Sequence, residues 1–154
     1  MALSDLLPPG GVVADLSATS RKQALHALSE LAGRSLYLPA RRVLDAVTER
    51  ERLGSTGVGD GVAIPHARMP EVDRVCGVFA RMRQAVDFDA IDGRPADLVF
   101  LLLAPEDAGA DHLKALARIS RFFRRKDMRH ALRAAPGTAA LQAIIAGAAQ
   151  TDAA

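Results

Sequence analysis

His66 stands just beyond a glycine-rich stretch, Gly54-Ser55-Thr56-Gly57-Val58-Gly59-Asp60-Gly61, and follows Ile64-Pro65 directly. A loop of this composition can turn consecutive backbone N–H groups inward as an anion-binding nest. Ser55, Thr56, Gly57, Gly59 and Gly61 are therefore candidates for a phosphate cradle. Proline at 65 holds the chain extended, so the imidazole is presented with restricted freedom. Imidazole titrates near pH 6.5; around neutrality it is largely uncharged and keeps one nucleophilic nitrogen. That suits reversible capture of a phosphoryl group. Taken alone, His66 reads as a structural histidine; the flanking loop and the arginines around it change that reading.

The common nucleotide fingerprints fail here. After Gly54 a P-loop needs glycine at 59 followed by Lys and then Ser or Thr, and the sequence has Asp60-Gly61 instead. Gly57-Val58-Gly59 leads into a strand, where the dinucleotide motif needs a helix. Of the other histidines, His26 shares a helical face with Lys22 and Glu30, and His130 lies among basic residues, so both belong on the surface. His112 opens the helix after an apolar strand, at that strand's carboxyl end, and can meet His66 in space. A histidine pair with Asp60 or Asp111 is the alternative, a metal site. No His-x-x-x-His or paired-cysteine spacing supports it and no third ligand is nominated, so neither metal nor cofactor is expected.

The elements that position these residues follow from periodicity. Val12 to Leu16 reads as a strand, and Ser17 to Ser20 supply N-caps for a helix to about Ala32, ended by Gly33. Pro39 opens a second helix to about Arg52. Four glycines between 54 and 61 argue a loop. Strands are expected at 62–64, 75–82 and 97–104, and helices at about 110–125, 127–135 and 138–148. Leu113, Leu116 and Ile119 accompany Phe122-Phe123 at helical spacing and predict a buried stripe. Helices alternating with strands predict an α/β domain of two or three layers, with Leu98 to Leu103 central in the sheet.

Composition agrees with a single folded domain. Hydrophobic residues make up 49% and charged residues 25% of 154 residues, near globular averages. The longest apolar run, Leu98 to Ala104, is far short of the ~20 residues a membrane-spanning helix needs, and the N-terminus has no secretory pattern. No membrane insertion and a cytoplasmic location are expected. Cys76 has no cysteine partner and reads as a small buried hydrophobe. The formal charge is +2 and the sequence pI about 9.1, so nucleic acid is not the expected partner. One local basic cluster stands out: Arg118, Arg121, Arg124, Arg125, Lys126, Arg129 and Arg133 read as solvated helix surface, with docking of an acidic protein as the alternative.

With these residues in view, the chain resembles a known family. Glu49-Arg50-Glu51-Arg52-Leu53 and Gly57-Val58-Gly59-Asp60-Gly61-Val62-Ala63-Ile64-Pro65-His66 match the enzyme IIA proteins of the bacterial sugar phosphotransferase system, fructose/mannitol type (PTS EIIA type-2). The likeness continues through Phe88 to Gly93, Asp97 to Pro105 and Asp111-His112-Leu113. The Gly-Ser-Thr-Gly run and the stand-alone length are similar to the nitrogen-regulatory branch (PtsN, IIA-Ntr). The resemblance implies one domain over residues 5–148, a mixed sheet covered by helices, and a flexible tail over 149–154. It further implies phosphorylation of His66 at Nε2 by a phosphorylated HPr-like protein, with Arg50 binding phosphate and His112 supporting in the same site. Regulatory target proteins would be the downstream partners. The alternative is a sugar-specific IIA component passing phosphate to a fructose/mannitol-type IIB. Ala67-Arg68 stands where some relatives have Gly-Lys or Gly-Thr, and Lys114 where some have His. Docking of the donor is expected on the apolar residues bordering the site, Val62, Ile64 and Met69.

Overall fold

A computed structural model describes residues 2–153, with side chains over residues 2–147. After a 3-10 turn at Leu3–Leu6 the order is β1 (Val12–Leu16), α1 (Arg21–Leu36), α2 (Ala40–Leu53), β2 (Gly57–Gly59), β3 (Val62–Ala63), β4 (His66–Arg68), β5 (Cys76–Val86), β6 (Ala96–Ala104), α3 (Ala110–Arg124), α4 (Lys126–Ala134) and α5 (Thr138–Ala153). All six strands form one mixed sheet in the order β1-β5-β6-β3-β2, with β4 also paired to β6. β5 and β6 run antiparallel, whereas β3 and β4 both run parallel to β6.

The central strand shows why the sheet is covered on both sides. Side chains alternate across a strand, and β6 is apolar at every position from Leu98 to Ala104. Val99, Leu101 and Leu103 join Leu25, Leu28, Val43 and Val47 of α1 and α2 in one core cluster. Leu98, Phe100 and Leu102 join Ile119, Phe122, Phe123, Leu132 and Leu141 of α3, α4 and α5 in the other. The result is three layers around a sheet whose central residues are wholly buried. Each such side chain contributes about 1.5–3 kcal/mol of burial free energy. Gly77 on β5 permits the close pairing with β6, because a Cβ there would lie 2.4 Å from the Leu101 carbonyl oxygen.

Several boundaries differ from the sequence reading for local reasons. α1 runs past Gly33 to Leu36 and ends at Tyr37, which adopts the left-handed conformation and donates its N–H to the Gly33 carbonyl. The stretch expected as a loop to Gly61 contains β2, paired antiparallel with β3. Asp60 and Gly61 both have positive φ, 58° and 76°, the backbone of a two-residue hairpin turn for which Asp-Gly is a favoured pair. α5 continues over residues 149–153, where a tail was expected; residue 154 lies outside the described residues. Among the described residues no helix is long and apolar enough to cross a membrane.

Candidate functional site

β4 begins at His66, so the imidazole belongs to a short strand of its own rather than to the end of the one before it. Its register on β6 is fixed by His66 opposite Leu102, and the Leu102 N–H donates to the Pro65 carbonyl at 2.9 Å. The ring folds back along its own chain, with Nδ1 2.7 Å from the Ile64 carbonyl oxygen. A carbonyl only accepts, so Nδ1 carries the proton and Nε2 keeps the lone pair. Ile64 is held in turn, its N–H donating to the Thr56 carbonyl at 2.9 Å.

Three elements close around this imidazole. An open cleft of about 460 Å³ is lined by Arg50 and Leu53 from α2, His66 and Arg68 from β4, and His112 and Leu113 from α3, among others. The rings of His66 and His112 meet edge to face. Arg50, in the last turn of α2, donates to the Gly54 carbonyl at 3.0 Å, which anchors its guanidinium at the helix end. Arg68 Nε donates to His112 Nδ1 at 3.0 Å. Both imidazoles are held below their ordinary pKa of 6.5. Burial is the main cause for each, and the nearby Arg50 charge adds to it at His66, as do His66 and Arg68 at His112; the Ile64 hydrogen bond and Glu51 pull His66 the other way. The site thus holds two neutral imidazoles in a cationic setting, suited to an anionic group.

Arg50, His66 and His112 are brought together as the sequence reading expected, but the five loop residues are not. The Ser55 hydroxyl donates to the Phe88 carbonyl and the Thr56 hydroxyl to Glu51. The Gly57 N–H is taken by the Ser55 hydroxyl at 3.0 Å. A side chain at Gly59 would meet Asp92, and one at Gly61 would meet Arg133 and Asp97. These contacts spend the hairpin on structure, away from the residues that line the cleft. The nest expected at 55–61 requires successive N–H groups turned to one side and open to an anion; the Gly57 N–H instead meets the Ser55 hydroxyl and the Asp60 N–H the Asp92 carboxylate at 2.9 Å.

The apolar docking candidates are corrected too. Val62, Ile64 and Met69 are each no more than 2% exposed and pack in the core. Leu53 and Leu113 are the exposed apolar residues at the cleft, 81% and 64% accessible; Leu113 therefore leaves the buried stripe of α3, which Ala115, Ile119, Phe122 and Phe123 carry. The basic cluster is divided between α3 and α4, and part of it is internal structure. Arg129 donates to the Phe123 and Arg124 carbonyls at the end of α3, Arg133 forks onto Asp97, and Arg125 pairs with Asp127. Arg68 is the site residue that sequence reasoning passed over. Its signal was the two-residue spacing from His66, which puts both side chains on one face of a strand.

A family model for the phosphoenolpyruvate-dependent sugar phosphotransferase system, EIIA 2, matches residues 5–148. The chain belongs to this family. Among EIIA 2 relatives it is similar to the nitrogen regulatory protein of Bradyrhizobium diazoefficiens, 46% identical over 146 residues and 95% of each chain. It is also similar to that of Pseudomonas aeruginosa, 38% identical over 144 residues, 93% of this chain and 94% of the other. The crystal structure of the nitrogen regulatory protein IIA-Ntr from Neisseria meningitidis superimposes with a TM-score of 0.86 at 37% identity, covering 93% of this chain and 98% of that one. The likeness within EIIA 2 therefore lies with the nitrogen-regulatory branch, and the mixed sheet with its flanking helices is the EIIA 2 fold.

Proposed function

We propose that this EIIA 2 protein is a cytoplasmic phosphocarrier of the nitrogen-regulatory phosphotransferase system, with residues 5–148 as its working domain. In this reading it accepts a phosphoryl group on His66 Nε2 from a phosphorylated HPr-like protein, and its phosphorylation state regulates partner proteins. The observation that carries the reading is the hydrogen bond from His66 Nδ1 to the Ile64 carbonyl, which leaves Nε2 as the free nucleophile of a residue lining a cationic cleft.

The chemistry follows from that arrangement. The Nε2 lone pair forms the new N–P bond as the donor's N–P bond breaks and its electron pair returns to the donor imidazole. Negative charge on the transferring group is spread over three equatorial oxygens, so catalysis is mainly positioning and electrostatic stabilisation. Arg50 supplies a planar fork for two of those oxygens, and His112 a hydrogen bond to the third. As Nε2 bonds to phosphorus the His66 ring gains positive charge, which the Ile64 carbonyl stabilises through the Nδ1 proton. Leu53 and Leu113 give the donor protein an exposed apolar rim to dock on.

The test is incubation with phosphoenolpyruvate, enzyme I and an HPr-like protein, followed by intact mass. The expected result is a gain of one phosphoryl group that depends on the HPr-like protein. A chain that stays unmodified while the HPr-like protein is fully phosphorylated contradicts the proposal.

A further inference from the structure

Arg68 makes its hydrogen bond through Nε, a group that only donates, to Nδ1 of His112 at 3.0 Å. His112 Nδ1 must therefore hold a lone pair, and in the neutral ring the proton sits on Nε2. Without this contact the two tautomers of His112 would interchange. The one with a bare Nε2 would present a lone pair toward phosphate oxygens, which repels them. Arg68 is exposed and lies on a three-residue strand, whereas His112 is buried at the start of α3. The contact thus ties β4, which carries the nucleophile, to the helix that carries its neighbour.

From this geometry we infer that Arg68 is a positioning residue: it locks His112 in the Nε2–H tautomer, so that His112 serves as a hydrogen-bond donor to the phosphoryl group bonding to His66. No proton is transferred by His112 in the step; its Nε2–H is shared with a phosphoryl oxygen while the N–P bonds exchange. The kinetic part of this inference rests on the phosphoryl-acceptor reading above, but the tautomer does not, and the two are read separately.

The tautomer is observed on the unphosphorylated protein, uniformly labelled with nitrogen-15, by long-range proton–nitrogen correlation near neutral pH. The parent protein is expected to show an unprotonated Nδ1 and a protonated Nε2 at His112. Arg68→Lys keeps a pure donor and should preserve that pattern. Arg68→Glu replaces the donor with an acceptor and should move the proton to Nδ1. Arg68→Met should give a mixture of the two forms. A protonated His112 Nδ1 in the parent, or an unchanged spectrum in both Arg68→Glu and Arg68→Met, overturns the inference.

The kinetic part is a double-mutant cycle on capture of phosphate from the HPr-like donor. Arg68→Met should slow capture about ten-fold, the loss of roughly one hydrogen bond, and should cost nothing further in a His112→Ala background. A penalty of the same size in that background means that Arg68 acts on the phosphoryl group directly, and the positioning role is withdrawn. If the parent takes up no phosphate at all while His112 shows the expected tautomer, it is the acceptor reading that has failed, and the kinetic role falls with it.

Discussion

The rings of His66 and His112 lie 5.6 Å apart at 85°, one edge against the other's face. The two residues come from β4 and α3, on either side of the cleft, and each is fixed by a hydrogen bond at its own Nδ1: His66 gives one to Ile64 and His112 receives one from Arg68. Identical side chains therefore take opposite tautomers, and under the proposed function the first is the nucleophile and the second a donor. Removing the donor should slow phosphoryl capture without removing the acceptor. His112→Ala is expected to cost ~1.5–3 kcal/mol in the transition state, the value of a charge-assisted hydrogen bond. The check is the initial rate of capture at fixed donor concentration; a rate equal to the parent's would make His112 a packing residue.

Arg50→Lys should impair transfer although charge is retained, because a planar guanidinium holds two phosphate oxygens and an ammonium acts as a point charge. Arg52 is the control. It is exposed, pairs with Glu49 at 3.0 Å and is not among the residues lining the cleft. Arg52→Lys is expected to transfer at nearly the parental rate. Both variants are compared by initial rate after their melting temperatures have been matched to the parent's; a slow Arg52→Lys beside a normal Arg50→Lys would reverse the assignment.

The two depressed imidazole pKa values make stability depend on pH. In the unfolded chain both histidines take up protons as pH falls through about 6.5, while the folded protein resists protonation at both. The unfolded state then binds more protons, so stability falls as pH is lowered through that range. The loss levels off once the folded-state values have been passed. Glu71, Asp92 and Asp127 are held low by their hydrogen bonds and withdraw their contributions only in the carboxylate range below. Thermal melts between about pH 7.5 and 5.5 should therefore show a declining midpoint. A variant carrying both His66→Gln and His112→Gln should show a flatter slope; an unchanged slope would place the titrating groups elsewhere.

Gly77→Ala tests the packing of the central strands. Its new Cβ would meet backbone and the Phe100 ring at under 3.0 Å, and overpacking of this kind costs about 1–3 kcal/mol. Gly147→Ala, whose new Cβ would meet nothing within 4 Å among the described residues, should instead stabilise α5 by roughly 0.5–1 kcal/mol. Denaturant midpoints measure both. Equal effects at the two positions would mean that β5 and β6 can separate to admit a methyl group.

Much of the scaffold was legible because its signals are local. The alternating faces of β6 follow from one uninterrupted apolar run, and Ser20 caps α1 by accepting from the Gln23 N–H, as an N-cap serine should. What was missed depends on pairing. Counting glycines between 54 and 61 argued a loop, whereas the Asp60-Gly61 pair alone defines a two-residue turn and with it the β2–β3 hairpin. The phosphate cradle also depended on partners distant in sequence, since the Asp60 N–H is taken by Asp92 and the Ser55 hydroxyl by the Phe88 carbonyl. Val62, Ile64 and Met69 were read as a docking rim from nearness to His66 in sequence, yet parallel pairing with β6 puts the first and the strand ends beside it into the core. The break at Arg125, where α3 gives way to α4, agrees with the two helices read there, but nothing local in the arginine run shows that Arg129 turns onto the Phe123 and Arg124 carbonyls and Arg133 onto Asp97. Arg68 could have been found from the period of two that it shares with His66.

The central claim is that phosphate is carried by His66 on Nε2. The direct measurement is phosphorus–nitrogen correlation on the nitrogen-15-labelled protein after capture of phosphate from the HPr-like donor, with His66→Ala run beside it. The parent should show one phosphoramidate, stable in alkali and lost in acid, coupled to His66 Nε2, and His66→Ala should remain unlabelled while melting like the parent. Label on His66→Ala, coupling to Nδ1, or an acid-stable ester on Ser55 or Thr56 would contradict it.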